Sequence, residues 1–363
     1  MQKKKHQPDL LLILNLPTSI NMKLTIWKSI KYLLIIGLAI FLFALFYPRT
    51  YDMPHIKPRE ETHFWELSTG SRIAYTLIPT KGEKSPFPII FLQGGPGGFY
   101  SDETINRFKP LAEMGFDVYL YDQVGGGYSE RLENIEEYTA ERHKKDLEEI
   151  VKKIGAGKVI FIAQSWGAIL ATLYIADNPN RVEKVVFTGP GPIQPTNNGL
   201  STLKPPDSLH LREPVYSNAK ANKSTKNLRS EFVMRWAMLF GNKLASDVEV
   251  DDFQTLLNGK LNKSTVCDTS LSVTAEGGGG YYSQIMSIKS LANVKDPRPA
   301  LKASSIPILV MKGQCDNQKW GFTNEYLQVF KNHQLVIIPN AGHSISVEQP
   351  SLYLETIADF LNK

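Results

Sequence analysis

Cysteine is scarce in this chain: two residues in 363, Cys267 and Cys315. Neither stands in a C-x-x-C or His-rich spacing, which excludes a structural zinc site, and no metal or cofactor is expected. The two sulfurs can pair only if the fold brings them together. The chain also lacks a basic stripe interleaved with aromatics. Its net charge of +5 comes from lysines and arginines gathered partly in an N-terminal arm and otherwise spread among acids, so nucleic acid is not an expected partner. Hydrophobic residues at 42% and charged residues at 21% exclude a disordered or collagen-like chain. No repeat period is evident.

One long apolar run is present. Residues 32–47 read YLLIIGLAIFLFALFY, follow Lys23, Lys28 and Lys31, and end at Pro48-Arg49. As a helix this covers only ~24 Å of a hydrocarbon layer roughly 30 Å thick, but Ile30 and a snorkelling Lys31 extend it. After Ala44 comes LFYPRTYDMP, with no small-x-small cleavage site, which favours a retained span over a signal peptide. Six lysines ahead of the run (Lys3, Lys4, Lys5, Lys23, Lys28, Lys31) outweigh Arg49, Lys57 and Arg59 behind it. The positive-inside rule then leaves the N-terminus cytoplasmic and the large C-terminal domain outside. The expected organisation is a basic arm at 1–29, a transmembrane anchor at 30–47 and a linker at 48–60.

Beyond the linker, strand and helix patterns alternate. A hairpin is expected over 63–78, short strands at 88–92 and 117–121, and a helix over 104–114 between them. A charged amphipathic helix over 139–154 closes at Gly155, and strands are expected up to Gln164 and over 184–188. Regularity is lost across about 190–303, where one amphipathic helix at 231–244 and the tetrad Gly277 to Gly280 stand out. The pattern resumes with strands at 306–311 and 334–338 and helices at 323–330 and 348–361. This predicts an α/β fold, a mostly parallel sheet with helices on both faces. Its core would be 61–190 plus 304–363, with an inserted helical cap at 191–303.

The segment 158–175, KVIFIAQSWGAILATLYI, is an apolar strand pattern that stops at Ala163-Gln164-Ser165-Trp166-Gly167 and restarts as a helix. A sharp strand-to-helix turn of this kind holds a serine in a strained backbone and projects its Oγ from the sheet edge, which requires small residues two before and two after. Ala163 and Gly167 meet that need. A serine hydroxyl is a poor nucleophile without a base, and the base needs an orienting carboxylate. Asp316 follows one late strand and His343 the next, so both are expected at the same sheet edge as Ser165. The chain order Ser, Asp, His is that of the α/β-hydrolase triad. Backbone donors for an oxyanion are expected from Trp166 and from the loop Gln93-Gly94-Gly95-Pro96-Gly97-Gly98, with Gly95 as its donor. No Lys-Ser/Thr follows that loop, which argues against a phosphate site. Asp122 is a rival acid, while His63 and His333 are expected at the surface or strand ends and His143 on a charged helix, so none competes with His343 for the base.

With these residues in view, the chain resembles the proline iminopeptidase branch of the α/β hydrolases. That family shows H-G-G-P-G, D-Q-R-G-x-G-x-S, G-x-S-W-G, a triad Asp and a late G-H. Here they stand as Gln93 to Gly97, Asp122 to Ser129, Ala163 to Gly167, Asp316 and Gly342-His343, across residues 60–363. The resemblance implies the fold, the triad, a lidded site and a structural turn at Asp122. Gln93 replaces the family's His and Val124 its Arg. The cap lacks the W-x-x-W-E context of the family's amine-binding glutamates, which leaves Glu276 as the candidate for a substrate ammonium. The expected function is a membrane-anchored serine hydrolase working through an acyl-enzyme, an aminopeptidase on short peptides. The alternatives are a carboxylesterase acting on small acyl or lipid-like esters and a non-catalytic ligand receptor.

Overall fold

The computed structural model describes residues 19–57, 59 and 61–363. The expected basic arm lies partly outside them, Lys3, Lys4 and Lys5 included. The chain divides into two compact units, Met1–Tyr47 and Pro48–Lys363.

In the first unit, helix α1 runs Ser19–Phe46. Its stretch Ile26–Phe46, 21 residues, is long and apolar enough to cross a bilayer by length and composition. At 1.5 Å per residue it covers about 32 Å, so the helix starts earlier than the sequence run and removes the expected shortfall.

The second unit is built on an eight-stranded sheet: β1 (His63–Glu66), β2 (Arg72–Ile78), β3 (Ile89–Leu92), β4 (Val118–Tyr121), β5 (Val159–Gln164), β6 (Val182–Thr188), β7 (Ile308–Gly313) and β8 (His333–Ile338). The order is β1-β2-β4-β3-β5-β6-β7-β8. The β1–β2 and β2–β4 pairs are antiparallel and the rest parallel. Central strands are apolar on both sides, and successive residues feed two separate cores. Ile90, Leu92, Phe161, Ala163 and Val310 point to one; Ile89, Phe91, Ile160, Ile162 and Leu309 point to the other. A sheet buried on both faces must be covered by helices on both.

Those helices are α2 (Asp102–Glu113), α3 (Ala140–Ile154) and α4 (Trp166–Asp177) early in the chain, and α10 (Trp320–Val329), α11 (Ile345–Glu348) and α12 (Pro350–Leu361) late in it. The ends of α3 follow from sequence: Thr139 accepts from the Arg142 N–H, and Gly155 closes the helix in the left-handed region at φ 76°. Helix α4 is buried nearly all round, which suits a helix enclosed by the sheet and its neighbours.

Between β6 and β7 the structure has more order than the one helix expected. Helices α5 (Asn218–Thr225), α6 (Leu228–Phe240), α7 (Asp247–Leu261), α8 (Tyr281–Ser290) and α9 (Arg298–Ala303) occupy this stretch. The expected helix at 231–244 is α6, begun earlier by an Asn227–Ser230 capping box and stopped by Gly241 at φ 66°. Helix α9 packs on α4 and α10, so the chain rejoins the core a few residues before 304. Residues 48–57, expected as plain linker, run along the cap as a strap. Arg49 N–H donates to Glu249 Oε1 at 3.1 Å, the Tyr51 ring lies tilted against Phe253 at 5.7 Å and Tyr128 Oη donates to Ile56 O at 3.2 Å.

Candidate active site

Sheet topology sets the place. From β3 the chain moves outward to β4, then crosses back to β5 on the other side of β3. The order reverses there, and ligand crevices of open α/β sheets form outside the carboxyl ends of such strands. The glycine loop follows β3 and Ser165 follows β5.

Ser165 has φ 53° and ψ −111°, a backbone conformation that costs a non-glycine residue about 1–3 kcal/mol. Its surroundings hold it there. Its N–H donates to Thr188 O at 3.2 Å, and its carbonyl accepts from Ala168 N at 3.1 Å and Gly191 N at 3.2 Å. Helix α4 lies directly on β3: a Cβ added at Gly167 would stand 2.0 Å from Leu92 O, so only glycine fits. Gly94 runs beside the nucleophile, its Cβ position 3.5 Å from Ser165 Cβ. Trp166 is the first residue of α4, so its N–H has no acceptor within the helix. Gly95 is the exposed residue of the glycine loop, at φ 144°.

The loop is tied from below by Gln123. Gly97 N–H donates to its Oε1 at 3.0 Å, while its Nε2 donates to Gln93 O at 2.8 Å and Gly94 O at 3.3 Å. The cap rests on the same loop. A Cβ on Gly97 would stand 2.8 Å from Gly280 O, and one on Gly280 2.6 Å from Gly125 O. The glycine tetrad is therefore where two backbones touch.

His343 and Asp316 meet after β8 and β7. Nδ1 of His343 lies 2.9 Å from Asp316 Oδ1. The other carboxylate oxygen is 3.3 Å from Lys312 Nζ, a lysine whose side chain is only 2% exposed. Burial alone would push the Asp316 carboxyl up; the Lys312 ammonium, the His343 ring and the Gln318 N–H outweigh it and hold it well below the usual carboxylate range. An ionised Asp316 can only accept, so Nδ1 is the donor, and in a neutral ring the lone pair falls on Nε2. The β6 exit runs between this pair and Ser165. A Cβ on Gly189 would lie 2.7 Å from His343 Nδ1, and one on Gly191 3.3 Å from Ser165 O. Among the described residues no hydrogen bond joins Ser165 Oγ to His343, a bond that in such sites often tightens only with substrate.

These two loops are fastened to the cap. Cys267 and Cys315, left open by the sequence, form a disulfide with Cα atoms 5.4 Å apart, and Cys315 is the residue before Asp316. Glu348 accepts from Cys267 N at 2.8 Å, Asp268 N at 3.1 Å and Gly342 N at 2.6 Å. Ser344 N–H donates to Thr265 O at 2.8 Å. One carboxylate thus holds both the disulfide segment and the residue before His343.

Other candidates fall elsewhere. Asp122 is fully buried and saturated: Arg59 pairs with it at 2.9 and 2.6 Å, and Tyr100 N and Tyr128 N donate at 3.2 and 2.8 Å. His63 and His333 are exposed at strand starts. His143 lies on the charged helix α3, as expected, and faces inward. Its Nε2 lies 2.9 Å from Ser287 Oγ and its ring 5.6 Å from the Trp166 ring, and burial beside Arg142 lowers its pKa to about 3. It is neutral and behind the turn. The charged sequence around it hid one inward-facing position. Glu276 stands 4.0 Å from Lys57 Nζ with its side chain about a third exposed (34%). Asp247, Glu249 and Asp251 are each engaged by a cation: Lys243, Arg229 and Arg131. Lys312 and Glu348 were missed; a lysine four residues before the acid, inside an apolar strand, was the available signal for the first.

Comparison with known proteins agrees with this fold. The α/β hydrolase fold family matches residues 88–350. A proline iminopeptidase of Heyndrickxia coagulans is 25% identical over 299 residues, 81% of this chain and 96% of the relative. Another from Saccharolobus solfataricus is 24% identical over 307 residues, 81% and 90% of the two chains. Among solved structures, an esterase from Exiguobacterium antarcticum superposes with a TM-score of 0.53 at 17% identity, covering 83% of this chain and 99% of the esterase. Its fold is shared. The chain is a member of the α/β hydrolase fold family, with proline iminopeptidases among its relatives.

Proposed function

We propose that the protein is a membrane-anchored serine hydrolase with Ser165 as nucleophile, His343 as base and Asp316 as its orienting acid. The observation that carries this reading is the 2.9 Å His343–Asp316 contact at the same sheet edge as the strained Ser165. Nε2 takes the Ser165 proton as Oγ attacks the scissile carbonyl, and the resulting oxyanion is held by the N–H groups of Gly95 and Trp166. The imidazolium then gives its proton to the leaving group, and water reverses the sequence on the acyl-enzyme. Asp316 stays ionised and stabilises the imidazolium.

The first reading of substrate is a short peptide with a free N-terminus, on the strength of the iminopeptidase relatives and the motif order. The cap, 191–303, would cover it. Esters are the second reading, favoured by one observation: Asp247, Glu249, Asp251 and Glu276 each already face a cation within 4.0 Å. A panel of aminoacyl arylamides, their N-acetylated forms and p-nitrophenyl acetate separates the two. Hydrolysis of free aminoacyl arylamides in preference to N-acetylated ones, lost in Glu276→Gln with ester turnover spared, supports the peptidase. Equal rates on blocked and free amines contradict it, and no Ser165-dependent hydrolysis of any of them leaves only the receptor.

For location, we read Ile26–Phe46 as a single span with the hydrolase domain outside the cytoplasm. The lysine asymmetry supports this orientation. So does the disulfide, since such bonds persist in oxidising compartments. Digestion of the domain by protease added to spheroplasts is the expected result; a protected fragment contradicts it.

A further inference from the structure

The outer side of α6 is apolar where a water-facing helix would be polar. Leu228, Trp236, Leu239 and Phe240 fall on one helical stripe, and Leu239 and Phe240 are 77% and 60% exposed. Met238 and Val248, the latter in the first turn of α7, are also exposed. The core does not need this stripe, because α6 already buries Val233 and Ala237 on its inner side. Trp236 lies against Phe240, ring centroids 4.6 Å apart, and donates from Nε1 to Asn242 Oδ1 at 2.6 Å. A half-exposed indole with its polar atom satisfied suits a water–lipid boundary.

A second observation names the occupant. The hydrolase unit begins at Pro48, and its first residues are fixed between α6 and α7. Arg49 N–H donates to Glu249 Oε1 at 3.1 Å, and Tyr51 Oη accepts from Asn227 Nδ2, at the N-cap of α6, at 3.3 Å. Residue 48 follows directly on an apolar helix long enough to cross a bilayer. Along the chain, only a few residues separate that helix from the contacts with α6 and α7. Cations surround the stripe: Arg235 is exposed on α6, and Lys289 Nζ donates to Met238 O at 2.7 Å.

We propose that the outer face of α6, with Val248, is a lipid-contacting surface. Its aromatic and aliphatic side chains enter the interfacial layer of the bilayer, with Arg235 and Lys289 at the level of anionic headgroups. This rests on the anchor reading given above. It places the cap on the membrane surface.

The test uses the full chain in nanodiscs of three parts phosphatidylcholine to one part phosphatidylglycerol. Both native cysteines are in the disulfide, so Leu239→Cys supplies the reactive thiol for a bimane label, with Glu355→Cys, an exposed position of α12, as the control. Quenching by doxyl-labelled lipid several-fold stronger at position 239 than at 355 is expected. Equal, weak lipid quenching at both positions with the chain retained in the disc overturns this proposal alone. A label at 239 shielded from both lipid and aqueous iodide means that a second copy or another protein covers the face, and also overturns it. A chain absent from the disc fraction overturns the anchor reading and this proposal together.

Discussion

The two sides of the candidate site are held by different physics. Ser165 is positioned by backbone: a strained turn between a fully buried strand and a buried helix, with Gly167 against Leu92 O and hydrogen bonds to Thr188 and Gly191. Asp316 and His343 sit on loops positioned by charge and cross-links: Lys312, Glu348 and the Cys267–Cys315 disulfide. The nucleophile's place is thus a property of the core. The place of its base is a property of the core and cap together, so perturbing the cap should reach His343 before it reaches Ser165.

The largest effects should come from removing the reacting groups on either side. Ser165→Ala and His343→Ala are each expected to lower kcat by about 10³-fold or more, and Asp316→Asn by somewhat less, in steady-state assays on the best panel substrate. Ser165→Ala with parental activity contradicts the account. The asymmetry itself is sharpened by Cys267→Ser/Cys315→Ser. Its sequence separation of 48 residues corresponds to about 4 kcal/mol of lost stability in the chain-entropy picture. Denaturant titration reads that loss, and kcat should fall as well because the Asp316 and His343 loops loosen. Full activity in the reduced parent protein would show that the cap does not position the base.

Lys312→Met tests the charge that holds Asp316. Asp316 is depressed in the folded state, so it contributes stability above its unfolded pKa and loses it as pH falls through the folded value. Without the ammonium that folded value rises. The contribution at neutral pH then shrinks, its acid loss is complete at a higher pH, and the total cost of breaking the buried pair is about 3 kcal/mol. The acid limb of the kcat/KM profile should move up with it, a shift that a merely structural lysine would not produce.

The smallest effect concerns Asp251, which binds Arg131 at 3.0 Å and the Tyr281 N–H at 3.0 Å. Burial pushes its pKa up to about 6 from 3.8 despite these partners. The folded state then holds the proton more tightly than the unfolded chain, so this group's contribution falls as pH rises from about 4 to about 6 and is constant above. Over that window the parent protein should lose at most about 3 kcal/mol relative to Asp251→Asn, measured by denaturant titration.

The same contrast separates what the sequence discloses from what it hides. Strands β3, β5 and β7 are legible because two-sided burial writes unbroken apolar runs, and Ser165 is legible because its turn forces small residues at 163 and 167. Asp316 and His343 are legible as polar residues just beyond such runs. The cap is not. Helix α7 begins with Asp247, Glu249, Asp251 and Asp252, so its buried Val250, Phe253 and Leu257 are masked by charge, although Ser246 is an ordinary N-cap. Glu348 gains its role from contacts 80 and 81 residues back in sequence, and Lys312 from burial that only the fold creates. His143 is inward-facing on a helix whose neighbours are charged.

The most direct test of the central claim is covalent labelling of the full-length protein with a fluorophosphonate, which reacts with a serine only when a base has activated it. The account predicts one phosphonyl group on the peptide containing Ser165, strongly slowed in His343→Ala and slowed less in the disulfide variant. An unlabelled parent protein, a label on another residue, or a rate unchanged in His343→Ala would contradict it.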